Sequence, residues 1–436
     1  MNIVIVSQYF YPDDFRINDI AKRLVADGHA VRVITGLPDY AESKVPKEYR
    51  FFKKRRETLD GIDISRVSIV ARRKGVFFRA LNYASFVFFG GLRAAFFDKK
   101  GIDLVLSYET SPVLQVLPAI RLAKRAKAPL FVYCLDIWPE CLKAWHVRED
   151  QLLYKLMTRM SRRIYQKADR LAVTSEPFRG YLRRLGVDGD RIEELPQHAV
   201  GEAAPWQDNG CVDFVYTGNI GAAQQADVII KAAALLKREN LPFRVHMVGN
   251  GSEKARNMKL AEDLEVGDSV VFHGKHPVGD MPGFYSLADC LLLTLSADGP
   301  GALTLPAKLQ GYMAAGKPIL AADTGASAKV LDESGSGWHV APGDAVKMAE
   351  AMKKIIDTDM AVLKAKGEKG RRYYERHYTL DIFMENFYGI FDRIAERPDG
   401  VTYGEYTGPG CGGGRGRRPK CAAQCAEELS SGPAGR

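Results

Sequence analysis

Asp213-Phe214-Val215-Tyr216-Thr217-Gly218-Asn219-Ile220-Gly221 is the stretch that decides the fold, because an apolar strand run ends there in a glycine-rich turn. A helical run begins near Gln224 or Gln225, directly after the turn. The same order stands at the start of the chain, where the strand run Ile3 to Val6 precedes the amphipathic run Ile17 to Val25. A strand and helix pattern that restarts near residue 210 indicates a second α/β domain built like the first.

Further apolar runs of strand length lie on both sides of this restart. Gly28 ends the first helical run, and Ala30 to Thr35 follows it as a strand. We predict the remaining strands at 104–107, 130–135, 171–174, 192–195, 244–248, 269–273, 289–295, 318–322 and 337–340. Alternating strands and helices are typical of parallel sheets covered on both faces. The sequence therefore predicts the fold class α/β, with two Rossmann-like domains that face each other across a cleft.

Composition shifts predict where the domains end. The polar, irregular stretch 200–210 is expected to link the two domains. The predicted segments are a first domain at 1–205, a second at 206–375, a C-terminal helix at 376–398 that packs back toward the first domain, and a tail at 399–436. Because the tail is rich in Gly and Pro and holds almost no large apolar residue, we expect it to be disordered.

Composition also excludes several classes of protein. With 46% hydrophobic and 26% charged residues among 436, the chain is neither a disordered protein nor a collagen. The cysteines of its body are scattered singly, without metal-ligand spacing, so we expect no metal site and a reducing, cytoplasmic setting. The first residues, Met1 to Val6, carry no basic region and turn polar at Ser7, which predicts no export signal.

The net charge of +9 is concentrated in one region of the sequence. Residues 44 to 79 carry twelve Lys or Arg against four acidic residues, and the apolar run 76–97 overlaps their end. Arg79 and Arg93 interrupt this run too closely for a bilayer span, so as a helix it is either wholly buried or partly sunk in an interface. The nearby cations favour an anionic membrane surface, and not nucleic acid, as the partner. The expected contacts are Arg72, Arg73, Lys74, Phe78 and Phe88.

Glycine-rich turns and one lysine are candidates for binding an anionic ligand. Backbone N–H groups approach a ligand closely at glycine, and a following helix N-terminus favours a diphosphate. The turn at 248–254 lacks the third glycine of the dinucleotide fingerprint, so we do not interpret it as an NAD site. In the stretch 303–318, Lys308 lies in the first turn of a predicted helix and adds an ammonium group suited to a diphosphate. The alternative is a solvated lysine on an ordinary helix.

Two carboxylates follow the predicted strand 130–135. Asp136 and Glu140 lie where the strand ends, and carboxylates at this edge of a parallel sheet point into the crevice. Trp138, between them, offers a stacking face for a sugar. The alternative for either carboxylate, and more so for Glu140 than for Asp136, is a helix N-cap or a structural pair. Motifs of serine hydrolases, zinc proteases and Walker-type kinases are absent from the sequence.

Together these motifs resemble family 4 glycosyltransferases of the GT-B fold. The resemblance rests on Ser7 to Pro12, Asp136 to Glu140, Tyr216 to Gly221 and the spacing within Pro306 to Pro318, and it covers about residues 1 to 390. It is strongest to the bacterial subgroup that builds O-antigen, capsule or exopolysaccharide, typified by the WbuB-like N-acetyl-fucosaminyl transferases. The resemblance implies a retaining, metal-independent transfer, without a cofactor, from a nucleotide-diphosphate sugar, expected to be UDP-linked. The implied acceptor is linked to polyprenyl diphosphate at the inner face of the plasma membrane.

The resemblance also implies roles for individual residues. The first domain binds the acceptor, the second binds the nucleotide sugar, and Asp136 takes a sugar-contacting, base-like position, with Glu140 as a second catalytic candidate. Trp138 is expected to contact the acceptor. The expected donor-binding residues are Gly218, Asn219, Gly221, Gln224, Gly251, Lys275, Thr304, Lys308 and Gln310.

One departure from the family pattern is visible. The broad family uses a Glu-x7-Glu pair at the donor, but Leu303 and Gly311 stand at those positions here, with Gln310 beside the second. The diphosphate charge is therefore expected to rest on Lys308, Lys275 and backbone amides. Two alternatives stay open at this stage, a sugar-nucleotide 2-epimerase and a non-catalytic subunit that binds a sugar nucleotide.

Overall fold

The structure is a computed structural model that describes residues 1–40, 43–51, 53–73, 75–145, 147–207, 209–297, 301 and 303–395. The predicted tail at 399–436 lies outside the described residues, and so does Lys74, one of the expected membrane contacts.

The first domain contains one sheet with helices on both faces. The order of its strands is β3-β4-β2-β1-β5-β6-β7-β8 over the described residues. The strands are β1 (Asn2–Ser7), β2 (Ala30–Gly36), β3 (Arg56–Leu59), β4 (Ile62–Val67), β5 (Leu104–Glu109), β6 (Leu130–Cys134), β7 (Arg170–Val173) and β8 (Ile192–Glu194). The helices are α1 (Ile17–Ala26), α2 (Val76–Ala95), α3 (Val116–Ala126), α4 (Leu152–Tyr165) and α5 (Glu176–Arg184).

The sequence prediction of a wholly parallel first sheet is wrong at one edge. β3 pairs with β4 in antiparallel fashion, and neither strand was predicted. The two are joined by a tight turn at Asp60 and Gly61, both of which have positive φ angles of 51° and 76°. An Asp-Gly pair is the usual sequence signal for such a hairpin, so the missed strands were readable from the sequence.

The second domain contains a wholly parallel sheet in the order β11-β10-β9-β12-β13-β14. Its strands are β9 (Val212–Thr217), β10 (Phe243–Val248), β11 (Val270–Gly274), β12 (Cys290–Thr294), β13 (Ile319–Ala322) and β14 (Gly337–Val340). Its helices are α6 (Asp227–Arg238), α7 (Lys254–Asp263), α8 (Met281–Leu287), α9 (Ala307–Ala314), α10 (Ala326–Ser334), α11 (Ala345–Ile356) and α12 (Met360–His377), and α13 (Leu380–Ala395) follows. The predicted α/β class with two Rossmann-like domains is confirmed.

The last helix joins the core of the first domain, although it is far from that domain in sequence. The ring of Phe387 on α13 lies 5.4 Å from the ring of Phe131 on β6, measured between centroids. Phe391, one turn later, contacts the same ring edge-on at 6.2 Å. Burial of these rings stabilises the return of the chain to the first domain, since each buried aromatic ring contributes a large apolar area.

Helix α2 is buried on one face and exposed on the other, so the alternative of a wholly buried helix is wrong. On the buried face Gly90 lies so close to α3 that an added Cβ would be 3.1 Å from Pro118 Cγ. On the other face Phe77 and Phe88 are 69% and 67% exposed. None of the described helices combines the length and the apolar character that a bilayer span requires.

Candidate active site

A cavity of about 580 Å³ is lined by both domains. The first domain supplies most of its wall, including Asp136 and Trp138, and the second domain supplies Val278 and Ala307. The carboxyl ends of β5 and β6 lead into this wall, which is where ligands of parallel α/β sheets bind. The cavity is large enough for a small-molecule ligand such as a sugar.

Asp136 is held in a fixed orientation at the cavity wall. The Ser111 hydroxyl donates to Asp136 Oδ2 at 2.6 Å, and the Trp138 indole N–H donates to the same hydroxyl oxygen at 3.2 Å. Burial raises the pKa of Asp136, while Ser111 and the nearby Arg72 guanidinium act in the opposite direction. An oriented carboxyl group at the cavity wall suits a hydrogen bond with a substrate hydroxyl.

Glu140 does not line this cavity. It accepts a hydrogen bond from the Tyr154 hydroxyl at 2.5 Å, and its other oxygen pairs with Lys143 Nζ at 2.7 Å. The structural ion pair, one of the alternatives that the sequence left open, is therefore the one observed for Glu140. Asp136 is the carboxylate of this pair that reaches the cavity.

The glycine-rich turn after β9 lies against the first turn of α9. Gly218 has a φ of 124°, and a Cβ built on it would lie 3.3 Å from Lys308 Nζ. The ammonium group of Lys308 also lies 4.1 Å from the centre of the Tyr216 ring. Gly218 and Lys308, both predicted to bind the donor, are thus brought together, and glycine leaves room there for the ammonium group.

Lys308 has an ammonium group without a hydrogen-bonding partner. Part of its side chain is accessible, but Nζ is buried and no described residue accepts a hydrogen bond from it. Burial lowers its pKa from the ordinary 10.5 to about 7. A buried cation without a counter-charge is costly, so the site is suited to an anion that supplies one.

The other residues of the turn after β9 are held by hydrogen bonds to one another. Asn219 Nδ2 donates to Gln224 Oε1 at 2.9 Å, and an added Cβ at Gly221 would lie within 3 Å of both side chains. The Tyr216 hydroxyl donates to the Asn219 carbonyl at 2.6 Å. Helix α6 begins slightly later than predicted, at Asp227, because a short 3-10 turn precedes it. These contacts fix the shape of the turn that faces Lys308.

Gly251 serves packing within the protein. A Cβ on Gly251 would lie 2.2 Å from the Ile220 carbonyl oxygen, and one on Gly249 would lie 1.8 Å from that of Gly218. The turn after β10 therefore packs backbone to backbone against the turn after β9. Gly251 shapes the predicted donor turn through this contact.

The other predicted donor residues have different surroundings. Gln310 is fully buried, and its amide, oriented to satisfy its neighbours, donates to the carbonyl oxygens of Pro306 and Ala307. Its hydrogen-bonding capacity is thus used within α9. Thr304 lies partly buried just before α9, and Lys275 is exposed just after β11.

The basic segment before α2 is divided between interior and surface, and Arg72, one of the expected membrane contacts, lies on the interior side. Arg72 lines the cavity, where its guanidinium lies 4.8 Å from the Tyr40 ring centre. Arg66 is buried and pairs with Glu57 at 2.6 Å. Arg73 is exposed, with its guanidinium 5.4 Å from the centre of the partly buried Phe78 ring.

Three residues of the site were not singled out by sequence reasoning. Ser111 orients Asp136, Arg79 lines the cavity from α2, and Tyr216 forms the aromatic wall beside Lys308. Tyr216 lies within the quoted stretch, two residues before Gly218, so its place near a strand end was a usable signal. Ser111 follows the end of β5, next to β6 in the sheet, and only the strand order reveals that relation.

Both halves of the chain match known families of proteins. Residues 15–198 match the family described as "Glycosyl transferase 4-like domain", and residues 208–373 match "Glycosyl transferases group 1". The "Probable glycosyltransferase WbjE" of Pseudomonas aeruginosa is 28% identical over 302 residues, which are 65% of this chain and 73% of that protein. The "Putative colanic acid biosynthesis glycosyl transferase WcaI" of Escherichia coli is 24% identical over 75% of this chain and 82% of its own.

A solved structure agrees on the fold. HepE of Anabaena, crystallised in complex with UDP, superposes with a TM-score of 0.65 at 13% identity, over 90% of this chain and all of its own. At that identity the likeness concerns the fold alone. The two family matches, which follow one another along the chain, and the two facing α/β domains identify the protein as a glycosyltransferase of the GT-B fold, with a 4-like domain followed by a group 1 domain.

Proposed function

We propose that this glycosyltransferase moves a sugar from a nucleotide-diphosphate donor to a hydroxyl of a lipid-linked saccharide, in the synthesis of a bacterial surface polysaccharide. The observation that carries the donor class is the buried ammonium group of Lys308, which has no partner among the described residues. UDP is the first nucleotide to test because HepE binds it. WcaI is named for colanic acid biosynthesis, and its similarity to this chain supports a polysaccharide as the product. The resemblance to WbuB-like enzymes favours a deoxy-amino sugar.

The proposed reaction retains the anomeric configuration and uses no metal ion. The acceptor hydroxyl oxygen forms a bond to the anomeric carbon, on the face from which the nucleoside diphosphate departs with the bonding electron pair. The hydroxyl proton passes to the departing phosphate oxygen. Lys308 and the N-terminus of α9 stabilise the negative charge that develops there. Asp136, oriented by Ser111, holds the transferred sugar or the attacking hydroxyl.

We further propose that the first domain docks on the cytoplasmic face of an anionic membrane through α2 and the exposed cations before it. An exposed apolar stripe on α2 supplies partial insertion, and nearby cations supply attraction to anionic lipid. The stripe contains Phe77, Leu81, Phe88 and Leu92. The exposed cations include Lys47, Arg50, Lys53, Arg56 and Arg73. Docking there brings the enzyme to an acceptor that cannot leave the bilayer.

The donor proposal is tested with the purified full chain and a panel of UDP-, GDP- and dTDP-sugars that includes deoxy-amino sugars. With a polyprenyl diphosphate-linked sugar as acceptor, one donor should release nucleoside diphosphate, with and without a metal chelator. Absence of release with every donor would contradict the proposal. A change of the donor sugar without any acceptor would instead indicate epimerase activity.

The membrane proposal is tested by vesicle flotation with the Phe88→Ser variant. The wild type should float with anionic vesicles at low salt, less at high salt, and not with neutral vesicles. Phe88→Ser should float less, whereas Val346→Ser, which changes an exposed apolar residue of the second domain, should float like the wild type. A wild type that stays in the soluble fraction with anionic vesicles would refute membrane docking.

A further inference from the structure

Two arginine side chains in the cavity lack a carboxylate partner. The guanidinium of Arg72 donates to the Tyr9 hydroxyl at 3.2 Å, and only its backbone N–H reaches the Asp39 carboxylate, at 2.7 Å. Arg79 lines the same cavity from the first turn of α2. Among the described residues, no carboxylate lies within ion-pair distance of either guanidinium. The cavity therefore presents two guanidinium groups without a direct ion pair to a described residue, on a wall that also carries Asp14, Arg16 and Asp136.

The position of Arg72 is built by its surroundings. Its guanidinium lies 4.8 Å from the Tyr40 ring centre, and Tyr40 packs edge-on against Tyr9 and Phe15 at 5.0 and 4.9 Å. The contacts with Tyr9 and Tyr40 hold the guanidinium, and the hydrogen bond to Asp39 holds the backbone, before a ligand binds. A pre-ordered guanidinium of this kind suits the planar, two-point recognition of phosphate oxygens.

The two arginines line the cavity near the start of the helix that carries the exposed apolar stripe. Arg79 lies on the cavity side of α2, whereas Phe77 and Leu81, two residues to either side of it, begin the stripe on the opposite face. Asp136 lines the same cavity as Arg72 and Arg79, and its pKa responds to the charge of Arg72. A ligand that passes from the stripe around the first turn of α2 into the cavity has an apolar chain, then an anionic group, then a hydroxyl-bearing sugar.

We propose that Arg72 and Arg79 form a subsite for the diphosphate of the lipid-linked acceptor. The inference rests on the proposed glycosyl transfer and adds the residues that select the acceptor. In this arrangement the lipid lies along α2, the diphosphate contacts the two guanidinium groups, and the first sugar reaches Asp136. The donor diphosphate occupies a separate site at Lys308 and Gly218. The enzyme should accordingly distinguish diphosphate from monophosphate lipids.

The test uses the full chain with a short-chain prenyl diphosphate sugar as acceptor and the matched prenyl monophosphate sugar as comparison. Arg72→Gln and Arg79→Gln should raise the KM for the diphosphate acceptor at least about tenfold and reduce the preference over the monophosphate. Arg79→Lys should restore part of that preference. Nucleoside diphosphate affinity, measured by calorimetry, should stay unchanged in all three variants. Arg121→Gln, an exposed arginine on α3, is the matched control and should behave like the wild type.

The outcomes separate the subsite from the proposed function. If the wild type turns over but Arg72→Gln and Arg79→Gln keep its KM and its preference, the subsite is wrong and glycosyl transfer stands. If the variants lose nucleotide affinity instead, the arginines belong to the donor site and the acceptor assignment fails. If the wild type transfers no sugar from any donor, the proposed function fails first. Arg79 is partly exposed and has no ion pair to lose, so its variants keep the test valid if Arg72→Gln does not fold.

Discussion

Nucleotide binding should depend on pH through Lys308. Burial lowers the pKa of this ammonium group to about 7 in the free protein, and a bound diphosphate should return it toward the ordinary 10.5. The diphosphate then binds the charged form, so affinity should fall as the pH rises above 7. From pH 7 to 8.5 the charged fraction drops from about one half to about 3%, which predicts about 15-fold weaker binding, or roughly 1.6 kcal/mol.

Isothermal titration calorimetry measures this effect directly, because proton uptake depends on the ionisation enthalpy of the buffer. The wild type should take up about half a proton per nucleotide at pH 7 and nearly one at pH 8.5. The terminal phosphate, with a pKa near 6, is already ionised over this range and adds little. Lys308→Arg keeps its charge at every pH and should lose the dependence, and Lys308→Met should bind weakly without any dependence.

A wild-type affinity that stays constant between pH 7 and 8.5 would refute the reasoning. An equal decline of nucleotide affinity in Lys308→Arg and in the wild type would also refute it, because the titrating group would then be a residue other than Lys308.

Further predictions concern stability and turnover. Between pH 7 and 10.5 the unfolded chain holds a proton on Lys308 that the folded chain lacks, so this lysine destabilises the folded state. Lys308→Met should therefore raise the free energy of unfolding near pH 7 by up to about 4 kcal/mol. Denaturant titrations should show this gain shrinking toward pH 10. Gly251→Ala places a Cβ 2.2 Å from the Ile220 carbonyl oxygen and should lower the unfolding free energy by about 1–3 kcal/mol, whereas Gly267→Ala, with open space around it, should be neutral in the same titration. Asp136→Asn should reduce the turnover number at least about 100-fold in a coupled assay of nucleoside diphosphate release, while nucleotide affinity remains as in the wild type.

Elements with a strong apolar pattern were predictable from the sequence. β1 and β9 are apolar strands followed by turns, and both lie close to their predicted positions. The hairpin of β3 and β4 was missed because β3 (Arg56–Leu59) has a single apolar residue and β4 (Ile62–Val67) mixes apolar with polar residues, although Asp60 and Gly61 marked their turn. The apolar pattern thus located the strands rich in apolar residues, whereas this hairpin required attention to turn chemistry.

Side-chain direction explains what the sequence left open at the site. Arg72 and Arg73 are neighbours in one basic run, yet the first lines the cavity and the second is exposed. Glu140 follows Asp136 by four residues, but Lys143 and Tyr154 hold it away from the cavity. Lys308 was predictable because its place in the first turn of a helix fixes the end of the sheet to which it belongs. A run of charged residues does not indicate which way each side chain points, whereas a place in the first turn of a helix does.

The measurement that tests the central claim most directly is the structure of the reaction product. The full chain is incubated with the donor that supports nucleoside diphosphate release and with a polyprenyl diphosphate-linked sugar, and the lipid product is analysed by mass spectrometry and NMR. The account predicts an acceptor heavier by one sugar residue, attached with the anomeric configuration that it had in the donor. An unchanged acceptor, or a sugar attached with inverted configuration, would contradict it.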